Sequence, residues 1–161
     1  MIVVSDTSPL NYLILIHAID VLPRLFSDIY VPTKVMEELK RAGTPGLVKS
    51  WAASPPPWLN VATPLVAIMT SIQLDPGELQ AIALAKELHA ETILIDERKG
   101  RRVASEHGLN AVGTLNVLEF AAERKLVELK STLQALRQTT FYITDEYIEA
   151  ALQRDAARQG A

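Results

Sequence analysis

Two aspartates stand at the places where an α/β protein most readily does chemistry. Asp6 follows the apolar run Ile2-Val3-Val4-Ser5, and Asp96 follows Thr92-Ile93-Leu94-Ile95. Short β-branched runs of this kind read as strands buried on both faces, and open α/β sheets bind ligands at the carboxyl ends of their strands. Parallel strands present those ends on one edge, so the two carboxylates are expected to meet. Two carboxylates brought together repel, and at least one pKa rises unless a cation lies between them. Hard divalent ions such as Mg2+ or Mn2+ take carboxylate oxygens together with water and phosphate oxygens, which makes a metal site the simplest chemistry for this pair. The structural alternative is that each aspartate only caps the helix that follows it.

Two glutamates are candidates to complete such a site. Val35, Met36 and Leu39 set the inward face of one helix; Glu38 flanks that face while Glu37 points away, and a plain surface glutamate is the competing reading. Asp75-Pro76-Gly77-Glu78 reads as N-cap, N1, N2 and N3 of a capping box, with Glu78 reaching back to the backbone, so Glu78 is either a cap or a further acid of the site. Thr7 and Ser8 could bond a ligand or a metal-bound water, although Ser8-Pro9 also reads as an N-cap with proline in the first helical turn. Arg98-Lys99-Gly100-Arg101-Arg102 places four positive charges just beyond Asp96. Such a run either grips a phosphodiester backbone with little sequence preference or is a solvated helix start. None of His17, His89 and His107 falls in these motifs.

The elements that must carry these residues alternate. Strands are expected at 2–4, 29–31, 92–95 and 111–114. Helices are expected at 9–18, 20–27, 34–41 behind a Thr33 cap, 65–72, 79–88, 101–107, 115–125, 129–136 and 142–157, the last capped by Thr144. Between 44 and 64, prolines and two tryptophans punctuate a segment expected to hold a short helix at 47–53 and an edge strand at 58–62, since proline excludes a central strand. Alternating buried strands and helices make an α/β domain with a parallel sheet covered on both faces.

The chain of 161 residues, 48% of them hydrophobic, has material for one well-buried core, expected over 1–152 with a tail at 153–161. Its net charge of −3 excludes a polycation that coats nucleic acid, so any such contact is local. The absence of cysteine removes disulfides, thiolate metal sites and cysteine nucleophiles, and suits a cytoplasmic setting. The apolar start lacks a basic flank and is broken by Asp6, Asn11, His17 and Asp20, so neither a signal peptide nor a membrane span is expected.

Taken in order, Ile2-Val3-Val4-Ser5-Asp6-Thr7-Ser8-Pro9-Leu10, Val31-Pro32-Thr33-Lys34-Val35-Met36-Glu37-Glu38-Leu39, Leu74-Asp75-Pro76-Gly77-Glu78 and Ile93-Leu94-Ile95-Asp96-Glu97-Arg98-Lys99-Gly100-Arg101-Arg102 resemble the successive motifs of a PIN domain. The match is nearest to a prokaryotic PIN-like subfamily, and it is similar to the ribonuclease toxins of toxin–antitoxin pairs. The resemblance implies a three-layer α/β/α fold around a central parallel sheet, and an acidic pocket holding Mg2+ or Mn2+ that hydrolyses RNA phosphodiester bonds. It assigns catalysis and metal binding to Asp6, Glu38, Glu78 and Asp96, with Glu78 where most PIN domains carry an aspartate inside a helix. Thr114, in the Gly113-Thr114 turn, would join Thr7, Ser8, Arg98, Lys99, Arg101 and Arg102 on the substrate side. It also implies RNA as substrate, a cognate antitoxin as partner, and allows a homodimer through 51–59 or the C-terminal helices. A phosphatase of the haloacid dehalogenase type would need a second aspartate at the position of Ser8, and no phosphate-binding glycine motif is present. The alternative from another class is a PIN-like module that binds RNA or protein without cleaving.

Overall fold

The computed structural model describes residues 1–160. The four residues of β1 (Ile2–Ser5) supply side chains to both faces of the sheet: Val3 joins one apolar core and Val4 the other. That two-residue alternation is what a central strand requires. Next come α1 (Thr7–Leu15), a 3-10 turn (Ile19–Val21), α2 (Leu22–Leu25) and β2 (Asp28–Pro32), followed by α3 (Thr33–Leu39) and α4 (Gly46–Ala53). β3 (Leu59–Ala62) is the expected edge strand; Pro57 and Pro64 bracket it closely, and among the described residues no strand pairs with its outer side.

The second half repeats the alternation with α5 (Pro76–Glu87), β4 (Thr92–Leu94), α6 (Arg98–Glu106), β5 (Asn110–Val112) and α7 (Thr114–Glu123). Two more helices, α8 (Leu129–Arg137) and α9 (Asp145–Gln159), close the chain. All strand pairings are parallel, in the order β3-β2-β1-β4-β5. The chain thus winds outward from β1 to β3, then returns to the opposite side of β1 with β4. The strand order reverses between β1 and β4, which is where open parallel sheets leave a crevice at their carboxyl ends.

Helices cover both faces. Leu10, Leu13, Val35, Leu39, Val117, Leu118, Leu133 and Leu136 pack with Val3, Ile29 and Leu94 on one side, while Ile82, Leu84 and Val103 pack with Val4, Ile93 and Ile95 on the other. These side chains are almost wholly buried, each contributing about 1.5–3 kcal/mol of transfer free energy. This is the three-layer α/β/α architecture with a central parallel sheet.

Several local expectations are corrected. Residues 65–72 form no helix: Leu65 and Met69 are 87% and 88% exposed, and the two half-buried side chains Ile68 and Ile72 are too little apolar anchoring to hold so short a helix. Ser8 does not cap α1, because the helix starts at Thr7 with Asp6 in the N-cap place. Likewise Thr33 opens α3 instead of preceding it, and its hydroxyl pairs with that of Thr63. Thr144 does cap α9, accepting a hydrogen bond from the Tyr147 N–H at 3.1 Å. The residues expected as a tail continue α9 to Gln159, and Arg154 within them binds Glu119 at 2.9 Å. Among the described residues no helix is long and apolar enough to cross a membrane.

Candidate metal centre

Asp6 ends β1 at the sheet's switch point. Its N–H donates to the Leu94 carbonyl at 2.8 Å, locking the end of β1 to β4. Its backbone is extended, as an N-cap's is, but its side chain caps nothing. The residue is 5% exposed and its Oδ1 is buried without a hydrogen-bond partner. Burial pushes the Asp6 carboxyl up to about 8; the charges of Asp75, Glu78 and Glu38 add to the rise, and a hydrogen bond from the Thr7 backbone opposes it.

Glu38 arrives from α3, whose Val35, Met36 and Leu39 face the core while Glu37 stays exposed and pairs with Lys34 at 3.4 Å. The Thr7 hydroxyl donates to Glu38 Oε2 and aims it. Beneath the carboxylate lies Gly77 in the first turn of α5. A Cβ there would sit 2.6 Å from both Glu38 oxygens, so any side chain at 77 would push Glu38 off its position.

The start of α5 is a complete capping box. The Glu78 N–H donates to Asp75 Oδ1 at 2.8 Å, and the Asp75 N–H donates to Glu78 Oε1 at 3.2 Å. The cap and the site are not exclusive. Each carboxylate commits one oxygen to the cap, and Glu78 Oε2 is left buried and unpartnered, 2.6 Å from where a Cβ on Gly100 would lie. Burial raises the Glu78 carboxyl to about 7; the Asp75 and Glu97 charges add to the rise, against the lowering bond from the Asp75 backbone.

One carboxylate oxygen from each of Asp6, Glu38 and Asp75 lies within 4.8 Å of the others. Asp75 had been legible only as a cap; its distance of three residues from Glu78 was the available signal. An all-oxygen donor set with two buried, unpartnered oxygens, Asp6 Oδ1 and Glu78 Oε2, is compatible with a hard divalent cation.

Asp96 is built differently. The Thr114 N–H donates to its Oδ1 at 2.7 Å, and the hydroxyls of Thr114 and Ser8 each donate to its Oδ2 at 2.8 Å. It follows the strand that pairs with that of Asp6, and it is not among the three acids whose oxygens lie within 4.8 Å of one another. Thr7, Ser8 and Thr114, expected on the substrate side, give their hydroxyls to the acids.

The basic run divides. Arg98 and Lys99 are exposed on the first turn of α6 with no ion pair among the described residues. Arg101 is half-buried and donates to the Ala111 carbonyl at 3.4 Å, whereas Arg102 turns to Glu106 at 3.3 Å.

A family model described as a PIN domain matches residues 2–156. The chain belongs to the PIN domain family. No curated protein and no solved structure matches it significantly. PIN domains are generally metal-dependent nucleases, and the carboxylate trio is the feature of this PIN domain that suits that class.

Proposed function

We propose that this PIN domain is an endoribonuclease that uses Mg2+ or Mn2+ to hydrolyse RNA, and that it acts as the cytoplasmic toxin of a toxin–antitoxin pair. The observation that carries the nuclease reading is the carboxylate trio at the switch point beside two buried oxygens with no partner. The resemblance of the motifs supports the toxin role, with a cognate antitoxin as partner and a homodimer as the resting form.

Asp6, Glu38 and Asp75, with Glu78 beside them, would hold the ion. When bound, it supplies Lewis acidity to the phosphoryl oxygens and lowers the pKa of water. The residues of the chain supply the rest. Thr7 fixes Glu38, the capping box fixes Asp75 and Glu78, and Ser8 with Thr114 fixes Asp96, so the acids are placed before substrate arrives. Arg98, Lys99 and Arg101 oppose the charge of the phosphodiester backbone. In the net reaction water's oxygen bonds to phosphorus, the scissile P–O bond breaks, and the departing oxygen gains a proton.

The test is cleavage of a mixed single-stranded RNA pool by wild type and Asp6→Asn, with Mn2+, with Mg2+ and with chelator. Cleavage confined to metal-loaded wild type is the expected result. RNA binding without cleavage under every condition would replace the nuclease by the binding module.

A further inference from the structure

Resting on the reading just given, we propose that the cavity beside Asp96 is a nucleobase subsite, which holds the base adjoining the phosphate and prefers one that presents a carbonyl oxygen. The cavity measures about 290 Å³ and counts Asp96, Arg101, Asn116, Phe141 and Tyr147 among its lining residues. That is near the lower size of small-ligand sites, and its walls combine flat aromatic surface with a few polar atoms.

Its polar end suits a phosphate. Arg101 makes no ion pair with any carboxylate among the described residues, although Asp96 is its neighbour across Gly113. A Cβ on Gly113 would lie 2.7 Å from Arg101 Nη1 and 3.0 Å from Asp96 Oδ1. The missing side chain keeps the gap between guanidinium and carboxylate open, leaving the guanidinium for an anion.

Its far end suits a base. Tyr147 is held by its hydroxyl, which donates to Glu119 at 2.6 Å, and by Arg154, whose guanidinium carbon lies 5.7 Å from the ring centroid. Arg154 in turn holds Glu119 at 2.9 and 3.0 Å. Phe141 is fixed edge-to-face against Tyr12, with centroids 4.9 Å apart. Rings immobilised before binding lose little freedom when a base stacks on them. Asn116 accepts from the Gly113 N–H through Oδ1 at 3.0 Å, which orients the amide and leaves Nδ2 with no hydrogen bond among the described residues. An amide donor beside aromatic rings reads a carbonyl oxygen, as guanine O6 and uracil O4 offer at the edge where adenine carries its amino group.

The test uses the full chain in chelator, where cleavage cannot occur. UMP, GMP, AMP and ribose 5-phosphate are titrated by calorimetry against wild type, Asn116→Asp and Phe141→Leu. Asn116→Asp keeps the oxygen that accepts from Gly113 and deletes the donor; the ribose phosphate arm cancels the effect of its added charge. Wild type is expected to bind UMP and GMP roughly tenfold more tightly than ribose 5-phosphate. Phe141→Leu should bring all three nucleotides toward ribose phosphate, and Asn116→Asp should erase the margin of UMP and GMP over AMP. Ribose 5-phosphate binding as tightly as the nucleotides, or ratios that neither variant moves, overturns the subsite. Should wild type cleave RNA while these ratios stay flat, the subsite falls and the nuclease stands. Should base-selective binding be lost in the variants while wild type never cleaves, the subsite stands and the nuclease falls.

Discussion

Asp6 and Asp96 have almost the same sequence setting, an apolar strand followed by a carboxylate, and they end neighbouring strands of the sheet. Their surroundings are opposite. Asp96 receives three hydrogen bonds, two of them from hydroxyls on α1 and α7. Asp6 sits deeper, keeps an oxygen with no partner, and is surrounded by other acids. One aspartate is satisfied by the protein and stabilises it. The other keeps an oxygen unsatisfied, and burying its charge there costs stability. The same strand-end position thus supports two electrostatic settings, one filled by hydrogen-bond donors and one left open among acids.

The sharpest break of that contrast is stability without metal. Asp96→Ala leaves a buried Thr114 N–H and two hydroxyls without their acceptor, and should lose about 2–4 kcal/mol in urea unfolding. Asp6→Asn should go the other way. Because the folded carboxyl is raised to about 8 from the ordinary 3.8, its contribution is favourable below pH 4 and is lost as pH climbs from 4 to 8. In chelator at pH 8 the Asn variant should therefore exceed wild type by on the order of a few kcal/mol, with the gap closing near pH 4. Equal responses of the two variants would erase the distinction. By the same sign, Mn2+ should raise the melting temperature of wild type more at pH 8 than at pH 5, and should not raise that of Asp6→Asn.

Next in size is Gly77→Ala. It adds only a methyl group but displaces Glu38, so RNA cleavage should fall roughly 10–100-fold with little change in melting temperature, a change like those that disturb outer-shell partners of metal ligands. The smallest effect belongs to the exposed end of the basic run. Arg98→Ala with Lys99→Ala should lower the slope of log affinity against log salt by about 1.4 for single-stranded RNA, at ~0.7 per phosphate contact, and leave metal binding untouched. An unchanged slope would make that turn a solvated surface.

The fold was largely legible because central strands are severe constraints. Val3, Val4, Ile93 and Leu94 have nowhere to go but inside, and prolines mark β3 as an edge. The stretch 65–72 misled because its apolar spacing suits a helix, yet it packs only Ile68 and Ile72 on the core and leaves Leu65, Val66 and Met69 exposed. Glu38 was readable from the helical spacing around it. Asp75 was not read as a ligand, since one oxygen does serve the cap and only the approach of α3 reveals the use of the residue. The grip on Asp96 was hidden as well: Ser8 lies 88 residues away in sequence, and only the β1–β4 pairing brings it near. Phe141 and Tyr147 carry no signal of their own, because their place beside the sheet edge is set by the packing of α7, α8 and α9.

The glycine at 77 has a consequence for anyone who improves this protein by selection. Alanine favours a helix over glycine by up to about 1 kcal/mol in an interior turn and by less in this first turn, so a screen that rewards only thermal tolerance has a small reason to replace it and none to keep it. The same methyl group would evict Glu38 from the acidic cluster. Robustness and chemistry compete for that position, and a variant library sorted for survival after heating should lose its alanines at 77 once it is sorted again for RNA turnover.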